Sequence, residues 1–246
     1  MKIIKNYSFM SGRRTLGTGL SFAGIAVLLA GFFFTFNETS GALRIFSLFS
    51  LPLGFIISQG GLYFANRYVR QPVIADAIDM GFDRIGNAGK GVRLYHYVLP
   101  VPHLILGPSG VIVIVPRFQG GDITADGYEW KQKLGLFNRI FGQQALPNPA
   151  VEAETRLKQL AKWISHNVPD LAETELPIGA IIVFTTKDSG TLDVRKSAIP
   201  AMHYTKLKGF WKQRQKDERL DQETYVMLQT AFDAEAEKKG IDLEEE

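Results

Sequence analysis

The sequence predicts an α/β domain, a mixed sheet flanked by helices, preceded by a two-helix transmembrane hairpin. Three observations predict it. Residues 16–36 and 45–65 are uncharged apolar runs of 21 residues each, and a helix needs about 20 apolar residues to cross a hydrocarbon core. Behind them, β-branched runs at residues 111–115 and 178–185 alternate with stretches of helical period, the pattern of a sheet with helices packed on it. The part that follows the spans, about 180 residues, is the size of one domain.

The N-terminal third sets topology. Lys2, Lys5, Arg13 and Arg14 precede the first span, Arg67 and Arg70 follow the second, and the short connection 37–44 carries only Glu38 and Arg44. Basic residues stay on the cytoplasmic side. The expectation is a multi-pass protein of a bacterial inner membrane, with the N-terminus and the C-terminal domain in the cytoplasm and the lipid bilayer as its first partner. A cleaved signal peptide fits poorly, because the first run is too long and Phe32, Phe33 and Phe34 stand where small residues belong. Asn37-Glu38-Thr39 matches a glycosylation sequon but hugs the membrane, and is read as coincidence. Gly17 with Ser21, and Gly54 with Ser58, give the small-xxx-small spacing that lets two spans pack closely. Neither span holds an ionisable residue in its interior, which argues for an anchor and against an ion path.

The net charge of +3 is misleading as a whole-chain value. Residues 1–66 carry five bases and one acid, whereas residues 67–246 carry 23 bases and 24 acids, so the basic excess belongs to the membrane flanks. Within the domain, residues 67–219 hold 21 bases against 15 acids and residues 220–246 two against nine. The acidic tail reads as a solvated end, or as a mimic of nucleic acid that screens the basic body. Cysteine is absent, which excludes disulfides, thiolate nucleophiles and zinc–thiolate sites.

The domain elements follow in order. Residues 73–82 form a short amphipathic helix after Pro72. Residues 86–91 (GNAGKG) are a turn: they lack the spacing of a phosphate-binding loop, and a strand instead of a helix follows. Residues 92–99 favour a strand, ended by Pro100 and Pro102. Residues 103–106 are a short apolar run, 107–110 (GPSG) a turn, and 111–115 a central strand buried on both faces. Residues 122–124 and 128–130 flank Asp126-Gly127 as a hairpin. Residues 134–141 are apolar with interspersed bases. Asn148-Pro149 opens a helix whose inner face is Leu157, Leu160, Ala161 and Ile164. Residues 178–185 and 199–204 are further strands, and the chain turns helical and charged from residue 207, helical up to about residue 239.

Residues 103–120 read HLILGPSGVIVIVPRFQG. This block resembles the core of the nuclease-related domain, NERD, a branch of the restriction-endonuclease-like superfamily. Members show an Ile-Asp-His step, an apolar run, a Gly-Pro-x-Gly-Val turn and a strand ending in Glu-x-Lys. Asn148-Pro149 with its helix, and Ile181-Ile182-Val183-Phe184-Thr185, resemble two later stretches of the family. The resemblance covers residues 72–205 and implies a restriction-endonuclease-like fold. The domain plan is then a basic cytoplasmic N-terminus (1–15), the hairpin (16–66), a NERD-like domain (72–205) and a charged helical C-terminal segment with an acidic tail (206–246).

The resemblance also implies where the chemistry is missing. Active members hold a divalent metal with an Asp and a Glu and position the attacking water with a Lys. On this chain the three positions fall on Pro102, Val115 and Arg117. Mg²⁺ takes hard oxygen ligands, which Pro and Val side chains lack, and Arg117 stays protonated at any usable pH. The expectation is a pseudoenzyme without catalytic residues or cofactor, acting in binding or scaffolding, with nucleic acid or a protein as ligand. The alternative is a divergent Mg²⁺-dependent nuclease with a relocated carboxylate, drawn from Asp122, Glu129, Asp76 or Asp79.

Candidate binding residues are His103 and Arg117 at the degenerate site, and Lys206, Lys208, Trp211, Lys212 and Arg214 in residues 206–219 (KLKGFWKQRQKDER). That basic, aromatic stretch reads as a nucleic-acid stripe, as a face for anionic lipid, or as an amphipathic helix covering the sheet. The histidines are His96, His103, His166 and His203; none stand three or four apart, so no helical metal pair exists. Residues 136–142 are apolar and read as a packed loop or a contact patch.

Overall fold

The computed structural model describes residues 1–37, 41–70, 72–133, 145–187, 189–216 and 220–243. The apolar stretch 134–142 and Glu38 of the connection lie outside them. The chain divides into two compact units, Met1–Asn6 with Ile74–Glu246, and Tyr7–Val73.

The second unit is a helical hairpin, α1 (Tyr7–Phe36) and α2 (Ala42–Tyr68). Both helices are long and apolar enough to cross a membrane. Gly17, Gly24 and Gly31 recur at a heptad interval and are the buried residues of α1. They face Phe64, Ser58 and Ser50 of α2, while Gly61 faces Ser21 and Gly54 faces Leu28. A Cβ on Gly61 would lie 2.6 Å from the Ser21 nitrogen, so only glycine permits this approach. The seam includes all four residues singled out by small-xxx-small spacing. Outside it the helices are large and apolar: Phe22, Ile25, Leu29, Leu48, Phe49, Phe55 and Ile56 are all exposed.

The first unit opens with β1 (Lys2–Lys5) and resumes with α3 (Ile74–Gly81). Then come β2 (Arg93–His96), β3 (His103–Gly107), β4 (Gly110–Arg117), β5 (Gly121–Gly127), β6 (Glu129–Lys133) and α4 (Pro149–Asn167). After them lie β7 (Ile178–Phe184), β8 (Ser189–Ser197), β9 (Ala201–His203), α5 (Leu207–Arg214) and α6 (Gln222–Lys238). A six-stranded mixed sheet runs β1-β2-β3-β4-β7-β9, and a three-stranded sheet runs β6-β5-β8. β2, β3 and β4 are antiparallel neighbours, whereas β1–β2, β4–β7 and β7–β9 are parallel. This is the mixed sheet flanked by helices that the sequence predicts.

The main sheet is covered on both faces. Along β4, Val111, Val113 and Val115 join one cluster with Leu160 and Ile164 of α4 and Leu228 and Phe232 of α6. Ile112 and Ile114 join the other with Ile78 of α3 and Leu207 and Trp211 of α5. Burial on both faces is why β4 reads as an unbroken β-branched run. The turn before it needs Gly110, at φ +117°, where a Cβ would strike the Pro177 carbonyl. Asn148 caps α4 as expected, its side chain accepting from the Ala150 and Val151 amides.

Two expectations change, at the N-terminus and on α4. Residues 1–15 are not one basic flank, since Lys2–Lys5 pair with Arg93–His96 as a strand of the sheet. In the C-terminal segment, Trp211, Leu228 and Phe232 are fully buried core residues, as the reading of an amphipathic helix covering the sheet requires. On α4 the inner face is Ala153, Leu160 and Ile164, with Leu157 half-buried and Ala161 exposed.

Candidate functional site

Pro102, Val115 and Arg117, the positions that the resemblance singles out, lie where β3 begins and β4 ends beside α4. Val115 is 1% exposed and packs into the α4 side of the core. Pro102 precedes β3, and carrying the β3–β4 register two pairs further sets it opposite Val115. Arg117 follows two residues later on the same face of β4. Its guanidinium donates to Glu152 Oε2 at 2.8 Å and to the Pro116 carbonyl at 2.8 Å, and only 5% of the residue is exposed. The backbone carbonyl of Arg117 accepts from the Thr185 amide at 2.7 Å, which locks β4 to the end of β7. Arg156, one helical turn beyond Glu152, approaches the other carboxylate oxygen at 3.5 Å. The site thus sets two guanidinium groups around one carboxylate.

That donor set does not fit a divalent metal. Pro102 and Val115 supply no oxygen, and Glu152 is already engaged by two cations. Among the described residues, no group of three or more His, Cys, Asp and Glu could hold a metal ion. The four carboxylates considered as relocated ligands go elsewhere. Asp122 accepts from the Thr191 amide at 2.8 Å on the small sheet, which holds its carboxyl below the usual range. Glu129 lies 3.8 Å from Lys131 with both side chains in water. Asp76 and Asp79 sit on α3, on the other face of the main sheet, and pair with Lys5. Glu152 is the acid at Arg117, and residue type alone did not single it out. The usable signal was its place in the first turn after the Asn-Pro helix start.

His103 does not join Arg117. It points to the α3 side of the sheet and is fully buried. Across β2 and β3 it is paired with His96, with the two Nδ1 atoms 2.6 Å apart. His96 Nε2 lies 3.0 Å from Asp79 Oδ1, and Lys5 pairs with the same carboxylate. Burial would raise the Asp79 carboxyl, but hydrogen bonds and charge from His96 and Lys5 outweigh it and hold it below the usual value. Burial pushes the His103 imidazole well down, helped by the charges of His96, Arg156 and Lys5. His103 Nε2 is buried without a hydrogen-bond partner. Tyr97, held at φ +59°, sets its ring 4.7 Å from the His103 ring. Spacing along a helix could not reveal this pair; strand register does.

The basic stretch resolves as an amphipathic helix. Leu207 and Trp211 of α5 are fully buried, and the Trp211 indole donates to the Ala88 carbonyl at 3.1 Å. Trp211 therefore has no open face for a nucleobase. Lys206 and Lys212 are exposed, while Lys208 and Arg214 are half-buried. α5 packs on the α3 face and Arg117 opens on the α4 face, so these candidates do not form one surface. His203 bridges the Thr186 carbonyl and the Thr205 hydroxyl at 2.8 and 2.9 Å, a structural role, and His166 is exposed near the end of α4.

Fold and site together define a mixed α/β domain joined to two apolar helices, with a salt bridge at the end of its central strand. Comparison with protein-family models, with curated proteins and with solved structures gives no match.

Proposed function

We propose that the chain is a membrane-anchored binding domain of the nuclease-related type, in which an Arg117–Glu152 salt bridge has replaced the cation site. The order of helix, three antiparallel strands, crossover helix and parallel strand supports the restriction-endonuclease-like reading. The anchor is supported by exposure: 11% and 17% of the most apolar stretches of the two helices are buried, unlike core helices of a soluble protein. β1 stands upstream of α1 and belongs to the sheet, so cleavage after α1 would remove a strand, which speaks against a signal peptide. The hairpin follows a strand of the sheet and is followed by a helix packed on that sheet, which suits a domain and N-terminus on one side of the membrane; the flanking Arg and Lys residues make that side the cytoplasm.

One observation carries the loss of chemistry. The arginine at the end of the central strand is buried and neutralised by a carboxylate, so it neither activates water nor offers its charge to a phosphate. The domain acts by binding, as a scaffold at the inner face of the membrane. Whatever affinity it has for polyanions comes from Lys206, just before α5, and from Lys208 and Lys212 on it.

The full chain in detergent, incubated with supercoiled plasmid and Mg²⁺ or Mn²⁺, tests this. No nicking is expected. Binding of duplex DNA should weaken with salt with a log–log slope no steeper than roughly −3, for at most three phosphate contacts, and Arg117→Ala should leave it unchanged. Metal-dependent nicking that Glu152→Gln abolishes would overturn the proposal.

A further inference from the structure

The buried chain Lys5–Asp79–His96–His103 lies across the sheet from the degenerate site, and the proposed function does not use it. Its place in the topology is specific. Lys5 ends β1, and the chain enters α1 at Tyr7; α3 starts at Ile74, where the chain has returned from α2. The Lys5–Asp79 pair therefore joins the two segments between which the hairpin is inserted. His96 and His103 tie that junction to β2 and β3.

The protons of this chain can be counted. Asp79 is ionised and only accepts, so His96 Nε2 carries a proton. Two Nδ1 atoms at 2.6 Å hold one proton between them: two would set N–H against N–H, and none would oppose two lone pairs. With both rings neutral, that proton sits on His103 and His103 Nε2 is bare. The next proton must go to Nε2, which has no hydrogen-bond partner. Lys5 from β1, His96 from β2 and Arg156 from α4 all oppose charge there. Asp76 and Asp79 of α3 are engaged by Lys5 and His96, and the Tyr97 ring packs against the imidazole.

We propose that Lys5, Asp79, His96 and His103 form an acid-opened latch at the root of the hairpin: neutral imidazoles hold β1 and α3 against β2 and β3, and acid releases them. In the open state both rings meet water, where an imidazole takes up a proton below about pH 6.5. The closed state excludes the extra proton. Its stability is therefore full above about pH 6.5 and is lost as pH falls below that value.

Hydrogen exchange of the full chain in detergent, read from about pH 7.5 to about pH 5 and corrected for intrinsic rates, tests the latch. Protection of β1 and α3 should fall up to about a hundredfold per pH unit below about 6.5, two protons per opening, while β7 stays protected. His103→Asn keeps a donor for His96 Nδ1 and removes one of the two protons, so its profile should be no steeper than about tenfold per pH unit. Constant wild-type protection of β1 and α3 down to about pH 5 overturns the latch, and so does a His103→Asn profile as steep as wild type. Should that variant not fold, the wild-type profile still decides: parallel loss in β7 means global acid unfolding and also overturns it.

Discussion

At the scale of the residue, the Arg117–Glu152 pair is asymmetric. Arg117 is 5% exposed whereas the Glu152 side chain is 36% exposed. Removing the acid leaves a buried guanidinium short of its counter-charge; removing the base leaves a carboxylate that water reaches. Glu152→Ala is expected to lower unfolding free energy by about 1–3 kcal/mol, and Glu152→Gln by less, because the amide oxygen still accepts. Arg117→Met, which keeps the buried stem, should cost less than Glu152→Ala. Urea unfolding of the three variants in one detergent checks the order, and a Glu152→Ala cost below that of Arg117→Met contradicts the account. The sequence showed that Pro102, Val115 and Arg117 cannot hold a cation, because residue type alone decides that. It could not show what neutralises Arg117, because Glu152 is 35 positions away and meets it only once α4 lies across β4.

At the scale of the element, legibility followed the locality of the signal. The central strand, the GPSG turn and the Asn-Pro helix were readable because burial on both faces, a turn residue and a cap are written in adjacent positions. β8 was missed although Leu192 and Val194 alternate with Asp193 and Arg195; its partner β5 stands some 70 residues earlier, so nothing local announces the pairing. β1 was missed because two lysines around two isoleucines beside a span read as a topology signal. For α5, composition left three readings open, and packing chose among them. Trp211→Ala is expected to destabilise by about 3–5 kcal/mol, as emptying a filled aromatic site does, whereas Lys212→Ala should stay within about 0.5 kcal/mol. A binding role for Trp211 would instead give a variant of normal stability and weakened DNA binding. Melting the two variants side by side separates these outcomes.

At the scale of the whole molecule, the domain is discontinuous: the hairpin is an insertion between the first strand of the sheet and the first helix that covers it. The main sheet needs residues from both sides of the insertion, since Ile4 enters the core at 3% exposure and Lys5 partners Asp79. A fragment that starts at residue 70 leaves one edge of β2 bare, an edge free to pair with other chains. It also loses a buried isoleucine and the cation at Asp79. It should therefore be less stable by about 2–4 kcal/mol than a chain in which residues 1–6 are joined to 74–246 through a flexible glycine–serine linker. The linked chain should need no detergent, since the large exposed apolar residues of α1 and α2 are gone. Both forms can be made and unfolded in urea under identical conditions. Equal midpoints would mean that β1 contributes nothing to the sheet, and the latch built on Lys5 would have no strand to hold.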